Sequence, residues 1–228
     1  MKQARSMLRL GTPYGGWCVP KNFLLSAPKI AICVGAGEDI SYDLILSAFC
    51  ESVHIFDPTP KALSHWTDVI LDLSRNLPSY SKPDMHNYQL YPFRLENIHF
   101  HALGVHGCTG YLDFYPPSNP EHASFSTENL QNTISPIRLP VIDPLSLSFI
   151  TGTRKPDILK LDIEGAEVSF INAMLSSSYR PRLLQVEFDS LLKDKGSANI
   201  IISDLISNGY KLISQEHRNL CFLYRESL

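Results

Sequence analysis

A mostly parallel α/β sheet with helices on both faces is the fold class this sequence predicts, and three observations predict it. Short apolar runs alternate with longer amphipathic stretches along most of the chain, the mark of repeated βα units. Glycine and Asp-Pro turns punctuate the ends of the apolar runs. The last two runs, separated by a polar His217-Arg218-Asn219 turn, read as an antiparallel hairpin.

Each element follows from its own residues. Lys29 to Val34 (KIAICV) is a buried-strand run that stops at Gly35. Ser41 to Cys50 places Leu44, Ile45, Ala48 and Phe49 on one helical face. Val53 to Phe56 is a strand ended by Asp57-Pro58, and Pro60 to Leu73 carries Leu63, Trp66, Val69, Ile70 and Leu73 at helical spacing. Pro78 to Pro92 is polar, rich in tyrosine and punctuated by proline, so it reads as a loop or lid. Ile98 to Leu103, Tyr111 to Tyr115 and Ile137 to Ile142 read as strands, and Pro144 to Ile150 as a short helix. The second half is more regular. Strands are expected over Asp157 to Leu161, Leu183 to Phe188, Tyr210 to Ile213 and Leu220 to Tyr224, with helices over Ala166 to Leu175 and Asn199 to Ile206.

Bulk properties bound the function. The 228 residues are 44% apolar, enough for one buried core, so one domain is expected, with 1–28 as an N-terminal extension and 29–228 as the core. A net charge of -3 and a pI near 6.2 argue against a nucleic-acid coat, which needs a basic surface to displace counterions. The five cysteines are scattered without a CxxC pair, so neither a zinc site nor a disulfide framework is indicated. No signal-peptide core and no run of membrane-spanning length occurs. A soluble protein in a reducing, cytoplasmic setting is expected, acting on a small-molecule or glycan partner.

Three constellations carry chemistry. Val34-Gly35-Ala36-Gly37-Glu38-Asp39 joins a strand to a helix, where glycines let a ligand approach the backbone and the helix start offers free N–H donors. Glu38 and Asp39 would repel a pyrophosphate but receive an ammonium group; alternatively they are carboxylates favoured by the helix dipole. Asp57 follows Gly37 by 20 residues, the spacing at which an acid meets ribose hydroxyls in dinucleotide folds; alternatively it caps the next helix. Lys160, Asp162 and Glu164 alternate along a third strand end, with Gly165 permitting the turn into a helix. Ligands sit at this carboxyl edge in open parallel sheets. Here too helix capping by Glu164 and Glu167 is the plainer alternative.

DILKLDIEGAEVSFI (Asp157 to Ile171) resembles the signature of the FkbM-type methyltransferases, and CVGAGEDISYDLIL with HIFDPTP resembles the same family's first two cofactor motifs. Tyr14-Gly15-Gly16-Trp17 and VGAGEDISYD are similar to its branch containing methyltransferase-like protein 24. The resemblance implies a Rossmann-like class I methyltransferase with a mostly parallel seven-stranded sheet and a C-terminal antiparallel hairpin. It implies S-adenosylmethionine as cofactor, held by Gly35, Ala36, Gly37 and Asp39 at its methionine portion and by Asp57 at its ribose. His101, Ala102 and Leu103 would flank the adenine, and Asp162 would lie near the reactive methyl. Two departures are Ile142-Asp143-Pro144-Leu145, where such families often carry Leu-Asp-Asp-Leu, and Asp57-Pro58 in place of Glu-Pro.

An alcohol acceptor needs to lose its proton, and Asp162 or Glu164 is the candidate base, with Lys160 beside them. His54, His99 and His101 read as hydrogen-bonded strand residues. Tyr14, Trp17 and the Tyr80 to Tyr91 aromatics frame either an acceptor pocket or ordinary packing, and Ser124, Phe125 and Ser126 lie in a loop that could close over the cofactor. Rival readings are a nicotinamide oxidoreductase, which would want a third glycine where Ile40 stands, a non-catalytic domain of the same fold, and Mg²⁺ held by Asp162, Glu164 and Glu167.

Overall fold

The computed structural model describes residues 6–119, 125–127, 129, 133–188 and 195–225. The chain opens with a hairpin of β1 (Met7–Leu10) and β2 (Trp17–Pro20), followed by the short helix α1 (Lys21–Leu24). The core then runs β3 (Ile30–Val34), α2 (Ser41–Ser47), β4 (Ser52–Phe56), α3 (Pro60–Ser74) and β5 (Ile98–His101). A small side sheet comes next, made of β6 (Gly104–Val105), β7 (Gly110–Phe114) and β8 (Ile137–Ile142). The chain closes with α4 (Pro144–Thr151), β9 (Ile158–Leu161), α5 (Glu167–Ser176), β10 (Leu183–Glu187), α6 (Lys195–Ser207), β11 (Tyr210–Glu216) and β12 (Asn219–Tyr224).

Seven strands form the main sheet in the order β11-β12-β10-β9-β3-β4-β5. Pairings from β10 to β5 are all parallel, and β12 enters antiparallel between β10 and β11. This is the class I methyltransferase sheet that the resemblance implied, and the fold is an α/β, Rossmann-like one. The strand order reverses at β3 and β9, so their carboxyl ends open the crevice in which such sheets bind ligands.

Strand alternation assigns the two cores. Ala31 and Cys33 of β3 face one apolar cluster with Leu44, Val53, Ile55 and Val69, while Ile32 and Val34 face the other with Leu159, Leu161, Phe170 and Met174. The predicted elements all appear, with their ends moved by a few residues. In α3 the buried face is Ala62, His65, Val69 and Leu73; Val69 and Leu73 match the expected face, Trp66 and Ile70 are half-buried, and Leu63 is exposed. Thr59 caps α3, its side chain accepting from the Ala62 amide, and Pro60 occupies the first turn, where a missing N–H costs nothing. Asp143 settles the start of α4: its Oδ1 accepts from the Ser146 amide at 2.7 Å, and Pro144 follows it.

The N-terminal segment read as an extension shares the main core. Trp17, Val19, Phe23 and Leu24 are buried in the first cluster. The stretch read as a loop or lid is pinned at Tyr88, fully buried, whose hydroxyl accepts from the Ile40 amide at 3.1 Å and meets His65 Nε2 at 2.9 Å. Among the described residues no helix is long and apolar enough to cross a membrane.

Candidate active site

A cavity of about 720 Å³ opens at the carboxyl ends of β3 and β9, within the size range of cofactor clefts. Gly35, Ala36, Gly37, Glu38, Asp39, Asp57, Lys160, Asp162 and Glu164 all line it, so the three constellations meet in one space.

The glycine bend forms its floor. Gly35 has φ +83°, a left-handed conformation that favours glycine, and a Cβ there would overlap the carbonyl oxygen of Asp162. Asp57, buried just beyond β4, holds the bend in place. Its Oδ2 accepts from the amides of Ala36 (2.9 Å) and Gly37 (3.1 Å), and its Oδ1 from the amide (2.9 Å) and hydroxyl (2.6 Å) of Thr59. Four donors occupy the four acceptor positions of one carboxylate. A ribose hydroxyl reaching Asp57 must therefore share or displace one of these bonds.

Glu38 and Asp39 are likewise engaged. Glu38 Oε1 pairs with Lys82 Nζ at 2.9 Å. Asp39, buried, accepts from Thr12 Oγ1 at 2.5 Å and from the Ser41 amide at 2.9 Å. Thr12 Oγ1 also accepts from the Gly15 amide, so the turn of the β1–β2 hairpin is tied to the glycine bend. The sequence shows no sign of these ties, because their partners lie 27 and 44 residues away along the chain.

Lys160 is 3% exposed and on the same face of the sheet as Trp17 and Cys33. Its Nζ donates to the Gly35 carbonyl at 2.5 Å, lies 3.5 Å from Asp162 Oδ2 and stands 5.8 Å over the Trp17 ring. Burial works against the ammonium, but Asp162 and the fully buried Asp43 outweigh it and hold Lys160 above its ordinary value. Burial pushes the Asp43 carboxyl up against the pull of Lys160. Lys160 is thus a strut between the glycine bend and Asp162. Glu164 sits on the turn after β9 with φ +49°, and Ser126 Oγ donates to its carbonyl at 2.5 Å.

Other expected residues lie elsewhere. His101, Ala102 and Leu103 do not line the cavity; Phe56, Pro58, Gly104, Val105 and Phe114 do. The reason is the strand's own alternation. The His101 ring stacks on Phe56 at 4.4 Å between centroids and meets His54 Nδ1 at 3.0 Å, which commits it to the sheet face. Glu167 is buried away from the cavity, with Oε1 accepting from the Gly165 amide, so it cannot complete a metal site with Asp162 and Glu164. Among the described residues no three histidine, cysteine or acidic side chains group to hold a metal. Of the loop that could close over the cofactor, Phe125 lines the cavity beside the following Thr127, Ser126 is buried outside the lining, and Ser124 lies outside the described residues. Tyr14 and Trp17 line the cavity, while Tyr80, Tyr88 and Tyr91 do not. Sequence reasoning missed Arg9, Glu187 and Glu216 at the mouth; the two turns that carry the cavity's far wall were visible only as Tyr14-Gly15-Gly16-Trp17 and His217-Arg218-Asn219.

The family model for the methyltransferase FkbM domain matches residues 33–212, spanning the glycine bend, Asp57 and the Lys160 to Glu164 turn. The chain belongs to the FkbM methyltransferase family. Methyltransferases of this family use S-adenosylmethionine. Similar solved structures include an FkbM methyltransferase from Methylobacillus flagellatus KT, at 16% identity and a TM-score of 0.49, covering 87% of this chain and 44% of that one. The present chain thus spans less than half the length of that protein. The N-methyltransferase NodS from Bradyrhizobium japonicum WM9 is 12% identical with a TM-score of 0.39, covering 89% of this chain and 88% of its own. A fibrillarin pre-rRNA processing protein from Methanococcus jannaschii is 11% identical with a TM-score of 0.41, covering 98% and 84%. No curated protein sequence matches the chain significantly.

Proposed function

We propose that this FkbM family member is an S-adenosylmethionine-dependent O-methyltransferase acting on a hydroxyl of a sugar or other small metabolite. The observation that carries this reading is the convergence of Gly35, Asp57 and Asp162 on one cavity at the point where the sheet order reverses. The residues fit the cofactor. A Cβ at Gly35 is forbidden by the Asp162 carbonyl, so glycine lets the bend close onto the end of β9, and the Glu38–Asp39 end offers the negative charge that an amino-acid ammonium needs. Phe56, Val105 and Phe114 offer apolar surface for an adenine.

When bound, S-adenosylmethionine supplies an electrophilic methyl on a positively charged sulfur, with a neutral thioether as leaving group. The protein's part is positioning and proton removal. Lys160 pairs with the Asp162 carboxylate at the cavity wall, where it accepts the acceptor hydroxyl's proton as general base. Five free cysteines support a reducing, cytoplasmic setting, and the Tyr14 to Trp17 turn at the cavity supports placement in the branch with methyltransferase-like protein 24.

Calorimetry with S-adenosylmethionine and, separately, with NAD tests the reading: heat with the first and none with the second is expected, and the reverse overturns it. Asp162→Asn is expected to lower kcat by about 10²–10⁴-fold with little change in cofactor affinity. Equal loss of both would make Asp162 a cofactor ligand instead of the base.

A further inference from the structure

The cavity's outer half is walled by the two ends of the chain. From the β1–β2 hairpin come Arg9, Tyr14 and Trp17, and from β10 and the β11–β12 turn come Glu187, Glu216 and Arg218. We propose that this wall is the acceptor subsite and acts as a charge filter, admitting uncharged or cationic acceptors and refusing anionic ones. The inference rests on the cavity being the methyl-donor site described above.

Three observations carry it. The first is that both arginines at the wall are already paired with glutamates. Arg9 donates through Nη1 to Glu216 Oε2 at 2.8 Å and through Nη2 to the Pro13 carbonyl at 3.0 Å. Arg218 Nη2 pairs with Glu187 Oε1 at 2.8 Å. A carboxylate or phosphate is best held by a guanidinium fork or an ammonium; here an anionic acceptor would meet guanidiniums already neutralised by Glu216 and Glu187. Lys160, the remaining cation, is buried against Gly35 and Asp162.

The second is the balance of charge. Seven carboxylates and three cationic side chains line the cavity among the described residues. A cofactor of single net positive charge does not reverse that excess. Like charges brought together in a cleft cost several kcal/mol in general, so the penalty on an anionic acceptor is large enough to decide specificity.

The third is the placement of Tyr14, which lines the cavity 65% exposed and faces the same acids. Its phenol is held above its ordinary value by burial first and then by Asp162, Glu164, Glu187 and Asp39, in keeping with that charge balance. The exposed ring face of Tyr14 and the Glu187 and Glu216 oxygens suit a molecule with hydroxyl donors and a C–H face.

The test uses tethered probes, so the acceptor need not be known. Aza analogues of the cofactor, with nitrogen in place of the sulfonium, carry a three-carbon arm instead of the transferable methyl, ending in a hydroxyl, an ammonium or a carboxylate. Their affinities are measured by calorimetry on the full chain, each referred to the affinity of S-adenosylhomocysteine for the same variant. The hydroxyl and ammonium arms are expected to bind at least about tenfold tighter than the carboxylate arm. In Glu187→Gln/Glu216→Gln, which removes the carboxylate partner of each arginine, that gap is expected to close or reverse. A carboxylate arm that binds the unaltered protein as tightly as the hydroxyl arm overturns the proposal, and so does a gap that survives in the double variant. Failure of S-adenosylhomocysteine itself to bind would instead overturn the donor-site reading, and is distinguishable because it appears before any arm is compared.

Discussion

Gly35 and Lys160 make the clearest residue-level demands. Gly35 combines a left-handed backbone with a carbonyl oxygen standing where a Cβ would go. Gly35→Ala is expected to cost at least about 1–3 kcal/mol in backbone strain and to abolish cofactor binding, read by thermal unfolding and calorimetry on the same sample. A variant that binds normally would remove the bend from the site. Lys160 is the buried counter-charge of Asp162 and Asp43. Replacing it with methionine keeps the length and removes the charge, leaving two carboxylates and the Gly35 carbonyl without their cation. Lys160→Met is expected to destabilise the fold by on the order of 3–5 kcal/mol in urea titration. Its contacts with Gly35 and Asp162 support a positioning role in the proposed reaction.

At the scale of elements, β4 and β5 carry a row of histidines whose charge state is tied to folding. His54 Nε2 meets Ser52 Oγ at 2.9 Å, its Nδ1 meets His101, and its ring lies 5.0 Å from that of His99. Burial, then the neighbouring His101 and His99, pull His54 down to about 4 from its ordinary 6.5. Between those values the unfolded chain binds the proton and the native chain does not, so stability is complete above pH 6.5 and is lost as pH falls toward 4. Thermal unfolding from about pH 7 to pH 4 is expected to show a falling Tm that His54→Asn flattens; an unchanged slope in the variant would assign the loss to carboxylates. The strands themselves were legible because β3 and β9 are uniform apolar runs closed by turn residues, and the acids at their ends mark a ligand edge by topology alone. Side-chain direction was only partly legible. The family resemblance implied that His101 flanks an adenine, whereas pairing with Phe56 and His54 across neighbouring strands turns it onto the sheet, in line with its reading as a hydrogen-bonded strand residue. Leu63 and Ala62 fit a helical period about equally well, and only packing selects Ala62. The four-residue strands β1 and β2 are too short and too polar at Arg9 to announce themselves, and their burial depends on a sheet formed later in the chain.

At the scale of the whole molecule, the two ends of the chain are locked together over the cavity. Arg9 pairs with Glu216, Cys18 Sγ donates to Glu216 Oε1 at 3.0 Å, and Gln185 Nε2 donates to the Cys18 carbonyl at 2.9 Å. Trp17, 4% exposed, anchors this closure in the main core. Trp17→Ala is expected to cost about 3–5 kcal/mol, a Tm lowered by roughly 6–20 °C for a chain of this size. A Tm unchanged by that substitution would show that the hairpin is an appendage. The donor floor, by contrast, is built wholly from the middle of the chain, between Val34 and Ala166. On the reading proposed above, donor chemistry and acceptor choice are therefore written largely in separate stretches of the gene. A chimera that exchanges residues 210–224 for those of another family member, keeping Thr12 on Asp39 and Trp17 against Lys160, would change what is methylated and leave the methyl source untouched, which makes the second hairpin the natural cassette for redesign.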